Sequence, residues 1–196
     1  MLSHLKNFNI ILASQSPRRK ELLAGLNLPF TIKALDIDES YPDEYEKELV
    51  PEFLAKKKAE AYSEYMNEKT LVIAADTIVL NQGKIYNKPK NREEAYNMLK
   101  SISGMTHQVI TGVCIKSKIK QISFSDTTLV EFRVLDNAEI NYYLDNYAPY
   151  DKAGAYGVQE WIGYTGVKSM NGSYFNVMGL PVEKLYLELK KWNIYD

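Results

Sequence analysis

Two periods of apolar residues alternate along this chain. A short apolar run at residues 10–13 is followed by a serine-rich turn, then by Pro17, with Leu22, Leu23 and Leu26 behind it. The run predicts a buried strand. The spacing predicts a helix that Pro17 opens, because proline suits a first helical turn. "FTIKAL" predicts a second strand, which ends in an acidic run containing Asp36, Asp38 and Glu39. Pro51 opens a long helix expected to reach about Glu68. "TLVIAADTIVL" predicts a strand and "NQGK" a turn. In "NREEAYNMLKSISG", Asn91 with Glu94 three residues on predicts a capped helix. Its apolar stripe is Ala95, Met98, Leu99 and Ile102, and Gly104 stops it.

"HQVITGVCIKS" and "QISFSDTTLVEFRVL" predict two more strands; the second places Ile122, Phe124, Thr128, Val130, Phe132 and Val134 on one face. Asp136 and Glu139 mark the start of a helix with Ile140, Tyr143, Leu144 and Tyr147 inward. A glycine-rich loop, "YDKAGAYGVQ", follows. "TGVKSMNGSYFNV" predicts a hairpin turning at Asn171-Gly172. Pro181 opens a last helix with Val182, Leu185, Leu189 and Trp192 on one face. Crossovers and hairpins together predict an α/β protein with a mixed sheet. No repeat, linker or boundary interrupts residues 1–196, so a single domain is expected.

Composition narrows the function. Hydrophobic residues make up 45% of the chain, which suits a globular core. Lys plus Arg number 24 against 25 Asp plus Glu, a balance that argues against coating a nucleic acid. No apolar stretch approaches a membrane span. "MLSHLKNFN" lacks the apolar core of a signal peptide, and Cys114 is the single cysteine, so the cytoplasm is the expected compartment. Two histidines and one cysteine argue against structural zinc. Any Ser-His-Asp triad would need His107, which starts a strand and reads better as a locally bonded histidine. "GYTGVKS" has the wrong spacing for a phosphate loop. A metal here would be a hard cation on carboxylates.

Several polar residues stand out of place. Arg18 and Arg19 occupy the first turn of a helix, the positive end of its dipole, where each costs up to about 1 kcal/mol. Either two solvated arginines are tolerated there, or they grip a phosphate or a base edge beside free backbone N–H groups. Asp76 interrupts an apolar strand; it either caps a strand end or is a carboxylate that is paired, metal-bound or facing a cleft. Lys58 shares a helix face with Leu54, Ala61 and Tyr65, and either snorkels or reaches a phosphate. Lys88 precedes a proline, which holds its backbone extended. Together, Glu39 and Asp76 can hold Mg²⁺ while Arg19, Lys58 and Lys88 neutralise a polyphosphate. That is the equipment of phosphoanhydride cleavage.

"LASQSPRRKELL", "IDES", "LAKKKAEA", "AADTIV", "NKP", "MLKSISGMTHQVITGV", "YDKAGAYGVQ" and "NGSYFNVMGLP" occur in the order seen in Maf-like nucleoside triphosphate pyrophosphatases, the septum-formation proteins. The chain resembles that family from Ile11 to its last helix. The resemblance implies an elongated mixed sheet flanked by helices with a central cleft, similar to the inosine triphosphatase group. It implies Mg²⁺- or Mn²⁺-dependent hydrolysis of a nucleoside triphosphate to the monophosphate and pyrophosphate. Asp76 falls on the family's general-base aspartate, and Glu39 and Lys58 on the cleft's acidic and lysine positions; Asp76 and Glu39 are then the metal carboxylates. "SPRR", "ADT" and "GAYGVQ" look like the branch that prefers dTTP and UTP, whose specificity positions fall on Arg18, Thr77 and Gln159. Ser14, Ser16, Arg19 and Lys88 complete the expected substrate contacts. The expected partner is the nucleotide, with no nucleic acid and no membrane, and a homodimer is compatible with the resemblance. Two departures stand out: Ala75 where a glycine is usual, and Glu160-Trp161 after Gln159 where a glycine-led turn is usual. The second bears on the shape of that loop. Two other readings remain beside this one: a nucleotide-sensing regulator of cell division, and a purine pyrophosphatase of the inosine triphosphatase type.

Overall fold

The protein is described by a computed structural model covering residues 2–192. Among the described residues the sheet has seven strands: β1 (Asn9–Leu12), β2 (Thr31–Ile32), β3 (Thr70–Asn81), β4 (Lys84–Tyr86), β5 (Thr106–Lys116), β6 (Gln121–Phe132) and β7 (Val167–Asn171). The order is β2-β1-β3-β5-β6-β7, with β4 paired to β3. β1 runs parallel to β2 and β3, while β4 is antiparallel to β3 and β7 to β6. The sheet is therefore mixed, as the alternation of crossovers and hairpins requires. β3 is buried along its length except at the half-buried Thr77, which explains its almost continuous apolar sequence. The β3–β4 turn works because Gln82 and Gly83 both take positive φ, 49° and 71°.

Seven α-helices are found among the described residues: α1 (Pro17–Ala24), α2 (Val50–Glu60), α3 (Arg92–Ile102), α4 (Asn137–Tyr147), α5 (Trp161–Gly166), α6 (Tyr174–Val177) and α7 (Val182–Lys191). Local chemistry sets several of their starts. Ser16 caps α1, Asn91 caps α3 and Asp136 forms a reciprocal capping box with Glu139 on α4. The predicted stripes of α3 and α7 are buried at Ala95, Met98, Leu99, Ile102, Leu185 and Leu189, and Trp192 is buried just after α7.

Several expectations are corrected. α1 ends at Ala24, so Leu26 lies outside it. "FTIKAL" supplies only a two-residue strand. α2 stops at Glu60 rather than near Glu68, and Tyr65 lies exposed in a separate 3-10 turn, off the Lys58 face. Val134 and Tyr147 are exposed, not inward. Residues 165–177 do not form a hairpin: they close α5, run as β7 and turn at Gly172 into α6, which the Ser173 hydroxyl caps.

The chain divides into two compact units. One comprises Met1–Asp76, Thr111–Asp126 and Gly179–Asp196, and the other Thr77–Ile110 and Thr127–Met178. The first has a core of Ile11, Ala13, Ala55, Ala59, Tyr62, Met66, Val72, Ala74 and Cys114. Within it α2 lies directly on β5: a Cβ on Gly112 would sit 2.2 Å from the Glu52 backbone nitrogen. Only glycine permits that approach. The second unit packs Ile78, Leu80 and Ile110 together, and stacks His107, Phe132 and Tyr156 edge to face or tilted.

Candidate active site

In the first unit, the chain leaves β1 through Ser14 and Ser16 into α1. The Ser16 hydroxyl accepts the Arg19 N–H at 3.4 Å, and the Ser14 hydroxyl accepts the Ser16 N–H at 3.1 Å. Arg19 folds back over this turn. Its Nε donates to the Gly179 carbonyl at 2.8 Å and its Nη1 to the Ser14 hydroxyl at 3.5 Å. Gly179 takes φ 108°, a conformation glycine allows. Burial pulls the Arg19 pKa below its ordinary value, against the raising field of Asp76; Arg18 adds to the fall and Glu39 opposes it. A cation at the wrong end of a helix is thus answered by a carbonyl, a hydroxyl and two carboxylates.

Those carboxylates meet on α2. Lys58 Nζ lies 2.5 Å from Asp76 Oδ1 and 3.0 Å from Glu39 Oε1. The Lys58 and Asp76 side chains are 15% and 13% exposed, whereas Glu39 is 56% exposed. Asp76 is therefore a nearly buried carboxylate whose charge is met by a nearly buried ammonium. The preceding residue, Lys57, reaches Asp38 Oδ2 at 3.0 Å and the Ser40 carbonyl at 3.1 Å. The Ser40 hydroxyl and N–H, and then Lys57, hold the Asp38 carboxyl down to about 2. Consecutive lysines thus anchor the acidic segment that carries Glu39, which has no regular secondary structure of its own.

The second unit holds the other predicted residues. Thr77 follows Asp76 on β3, Lys88 is exposed after β4, and Gln159 is half-buried in the loop before α5. The Tyr164 hydroxyl donates to the Gln159 carbonyl at 2.7 Å. His107 is buried, its Nε2 is 2.8 Å from the Tyr156 hydroxyl, and burial pushes its pKa down to about 4. It is a neutral, tied imidazole and no general base of a triad. So Ser14, Ser16, Arg18, Arg19, Glu39, Lys58 and Asp76 belong to the first unit, and Thr77, Lys88 and Gln159 to the second.

Three contributors lie outside the predicted set. Lys57 was hidden inside "KKK", where helical phase alone does not say which lysine turns inward. The Gly179 carbonyl lies 160 positions from Arg19, beyond any local signal. The third is Glu160, whose carboxylate meets Lys152 Nζ at 3.0 Å and accepts from the Tyr143 hydroxyl. Its signal was present as the departure after Gln159.

No three His, Cys, Asp or Glu residues gather into a ready-made metal site among the described residues. Asp76 and Glu39 are a pair of hard oxygen donors on one lysine. That pair suits Mg²⁺ or Mn²⁺ bound partly through phosphate oxygens, not a cage closed by protein alone.

The first unit of this mixed α/β fold gathers Arg19, Lys58, Asp76 and Glu39 into one charged cluster, chemistry suited to an anionic, oxygen-rich ligand. Residues 9–192 match the family described as Maf-like protein, and the chain belongs to that family. It is 56% identical over 191 residues to a Parabacteroides distasonis protein named dTTP/UTP pyrophosphatase, covering 97% of this chain and 99% of that one. A Bacteroides fragilis protein of the same name is 54% identical over 192 residues, covering 97% and 100%. One from Flavobacterium johnsoniae is 47% identical, covering 93% and 94%. The solved Staphylococcus aureus Ham1 protein is 17% identical at a TM-score of 0.44, covering 63% of this chain and 71% of that one, a likeness too slight to carry an argument. No helix among the described residues is long and apolar enough to cross a membrane.

Proposed function

We propose that this protein hydrolyses dTTP and UTP to the nucleoside monophosphate and pyrophosphate. One observation carries the reading: the nearly buried Asp76–Lys58 pair lies in a chain whose relatives, over nearly its full length, are named dTTP/UTP pyrophosphatase. Asp76 accepts a proton from the water that attacks the α-phosphorus. The bond from that phosphorus to the α–β bridging oxygen breaks, and pyrophosphate leaves with the bonding pair. Lys58 holds Asp76 in place for the proton transfer. Arg19, oriented by Ser14, Ser16 and Gly179, offers a guanidinium to the phosphate oxygens, and Lys88 adds positive charge. Asp76 and Glu39 would hold Mg²⁺ or Mn²⁺, which neutralises phosphate charge and polarises the P–O bond when bound.

Base choice follows from donor and acceptor patterns. Uracil and thymine present an N–H flanked by two carbonyls. The Gln159 amide has a donor and an acceptor and matches the N–H and one carbonyl together. Arg18 or Thr77 donates to the other. A purine leaves such groups unpaired, at roughly 1–3 kcal/mol each. The test is incubation with UTP, dTTP, CTP, ATP, GTP and 7-methyl-GTP in Mg²⁺, with products resolved by chromatography. Monophosphate and pyrophosphate, fastest from UTP and dTTP, are expected. Diphosphate with orthophosphate would overturn the reaction, and a preference for GTP would overturn the base assignment.

A further inference from the structure

The loop that carries Gln159 rests on a polar network that phosphate chemistry does not use. Lys152 is buried, 9% exposed, and its ammonium lies 2.7 Å from Asp151 Oδ1 and 3.0 Å from Glu160 Oε1. The other Glu160 oxygen accepts from the Tyr143 hydroxyl, and Tyr143 in turn accepts the Gly157 N–H at 3.0 Å. Tyr143 has no exposed surface, and burial and the Glu160 carboxylate both push its pKa up, so it remains a donor. The Glu160 carboxylate also lies against Gly157: a Cβ there would be 2.7 Å from Glu160 Cδ. The Glu160 N–H donates to the Gly157 carbonyl at 3.0 Å. On the far side, a Cβ on Gly163 would be 1.9 Å from the Val158 carbonyl oxygen, and Tyr164 holds the Gln159 carbonyl. The backbone on both sides of Gln159 is therefore tied to α4, to Lys152 and to the start of α5.

A buried lysine and tyrosine hydroxyl paired with a half-buried glutamate are costly to desolvate, and well-packed apolar residues would serve stability as well or better. What such a network supplies is one fixed geometry. We infer that Glu160, acting with Lys152 and Tyr143, is a positioning residue for base selection: it fixes the loop that presents Gln159 and so sets how strictly one base is preferred over another. This rests on the assignment of Gln159 to the base made above.

The test compares kcat/KM for UTP, CTP and GTP in the wild type, Tyr143→Phe, Glu160→Gln, Gln159→Ala and the double variant Tyr143→Phe/Gln159→Ala. Tyr143→Phe keeps the ring packing and removes only the hydroxyl. Glu160→Gln keeps the shape and an acceptor for Tyr143, and removes the charge that holds Lys152; it carries the same comparison if the tyrosine variant does not fold. Each is expected to lower the UTP-to-GTP ratio about tenfold, the scale of losing one well-placed hydrogen bond. In the Gln159→Ala background Tyr143→Phe should lower that ratio no further, because both changes act through the same amide. A merely structural network would slow all three nucleotides equally and leave the ratio unmoved. If Gln159→Ala lowers the ratio and neither network variant does, the inference is overturned and the base assignment stands. If Gln159→Ala leaves the ratio unchanged, the base assignment falls and the inference falls with it.

Discussion

His107 makes stability depend on pH in a way that can be worked out from its surroundings. The imidazole is 2% exposed, its Nε2 is taken by the Tyr156 hydroxyl and its Nδ1 has no hydrogen-bond partner among the described residues. Burial lowers its pKa from 6.5 to about 4. Between those values the unfolded chain binds a proton at this site and the native protein does not. Protonation therefore favours unfolding, and native stability falls as the pH drops through that window. The histidine's contribution is complete above its unfolded pKa of 6.5 and is lost by about pH 4. The gap corresponds to roughly 3 kcal/mol at about 1.4 kcal/mol per pKa unit. The perturbation is His107→Gln, which keeps a polar atom near Tyr156 and cannot titrate. Urea unfolding of both proteins is measured from pH 7.5 down to pH 4. Carboxylates titrate in the same range in both proteins, so their effect cancels in the difference. At pH 7.5 the variant should be the weaker by about 1 kcal/mol, the value of one imperfectly replaced hydrogen bond. As the pH falls the wild type should lose roughly 3 kcal/mol more than the variant. Two profiles that stay parallel over the whole range would refute the reasoning.

Three further outcomes are expected. Asp76→Asn should remain folded, because Lys58 keeps Glu39 at 3.0 Å, yet lose about 10²–10⁴-fold in kcat with UTP through loss of the base; a variant within a few-fold of wild type would make Asp76 structural. Gly112→Ala should destabilise the protein by several kcal/mol, at least about 2, because its Cβ would meet the Glu52 backbone nitrogen at 2.2 Å and neither backbone can yield cheaply; an unchanged thermal midpoint would contradict that packing. EDTA should abolish hydrolysis, and Mg²⁺ or Mn²⁺ should restore it; full turnover by a thoroughly metal-stripped sample would remove Asp76 and Glu39 from the metal-binding role.

Elements governed by local chemistry were legible in the sequence. α3 and α4 each announce themselves with a side chain that caps the start and an acidic residue three positions on. β3 does so by its almost continuous apolar run, and Asp76 by interrupting it. What failed was decided at a distance. β2 stops at Ile32 because its partner β1 ends at Leu12, opposite it, whatever the β-propensity of "FTIKAL". α2 stops early where Tyr62 buries its ring and donates its hydroxyl to the Lys33 carbonyl, a tertiary anchor that draws the chain off the helix. Asn171-Gly172 reads as a hairpin turn only until the Ser173 hydroxyl captures the Asn176 N–H and starts α6 instead. The candidate site divides the same way. Residue types and their order were readable, while the Gly179 carbonyl on Arg19 and the Glu160 network needed the fold.

Arg19, in the first turn of α1, is tied into the whole charged cluster. Arg19 is held by Gly179 and Ser14 in the field of Asp76 and Glu39, Lys58 is shared by those same carboxylates, and Lys57 is taken by Asp38. Cations and anions in the first unit thus hold one another in place before any substrate binds. Preorganisation of this kind lowers the reorganisation needed when a phosphate arrives. It also makes the phosphate a competitor. Every positive charge that turns to a phosphate oxygen leaves a carboxylate less well compensated, and an uncompensated carboxylate as buried as Asp76 is costly. A bare triphosphate therefore meets a cluster whose charges are already balanced, whereas one that brings its own divalent cation replaces the positive charge it withdraws. If the cluster binds a triphosphate as proposed, a need for a divalent cation would follow from the Lys58 bridge itself, and the mainly buried Asp76 should feel the loss of that bridge more than the exposed Glu39.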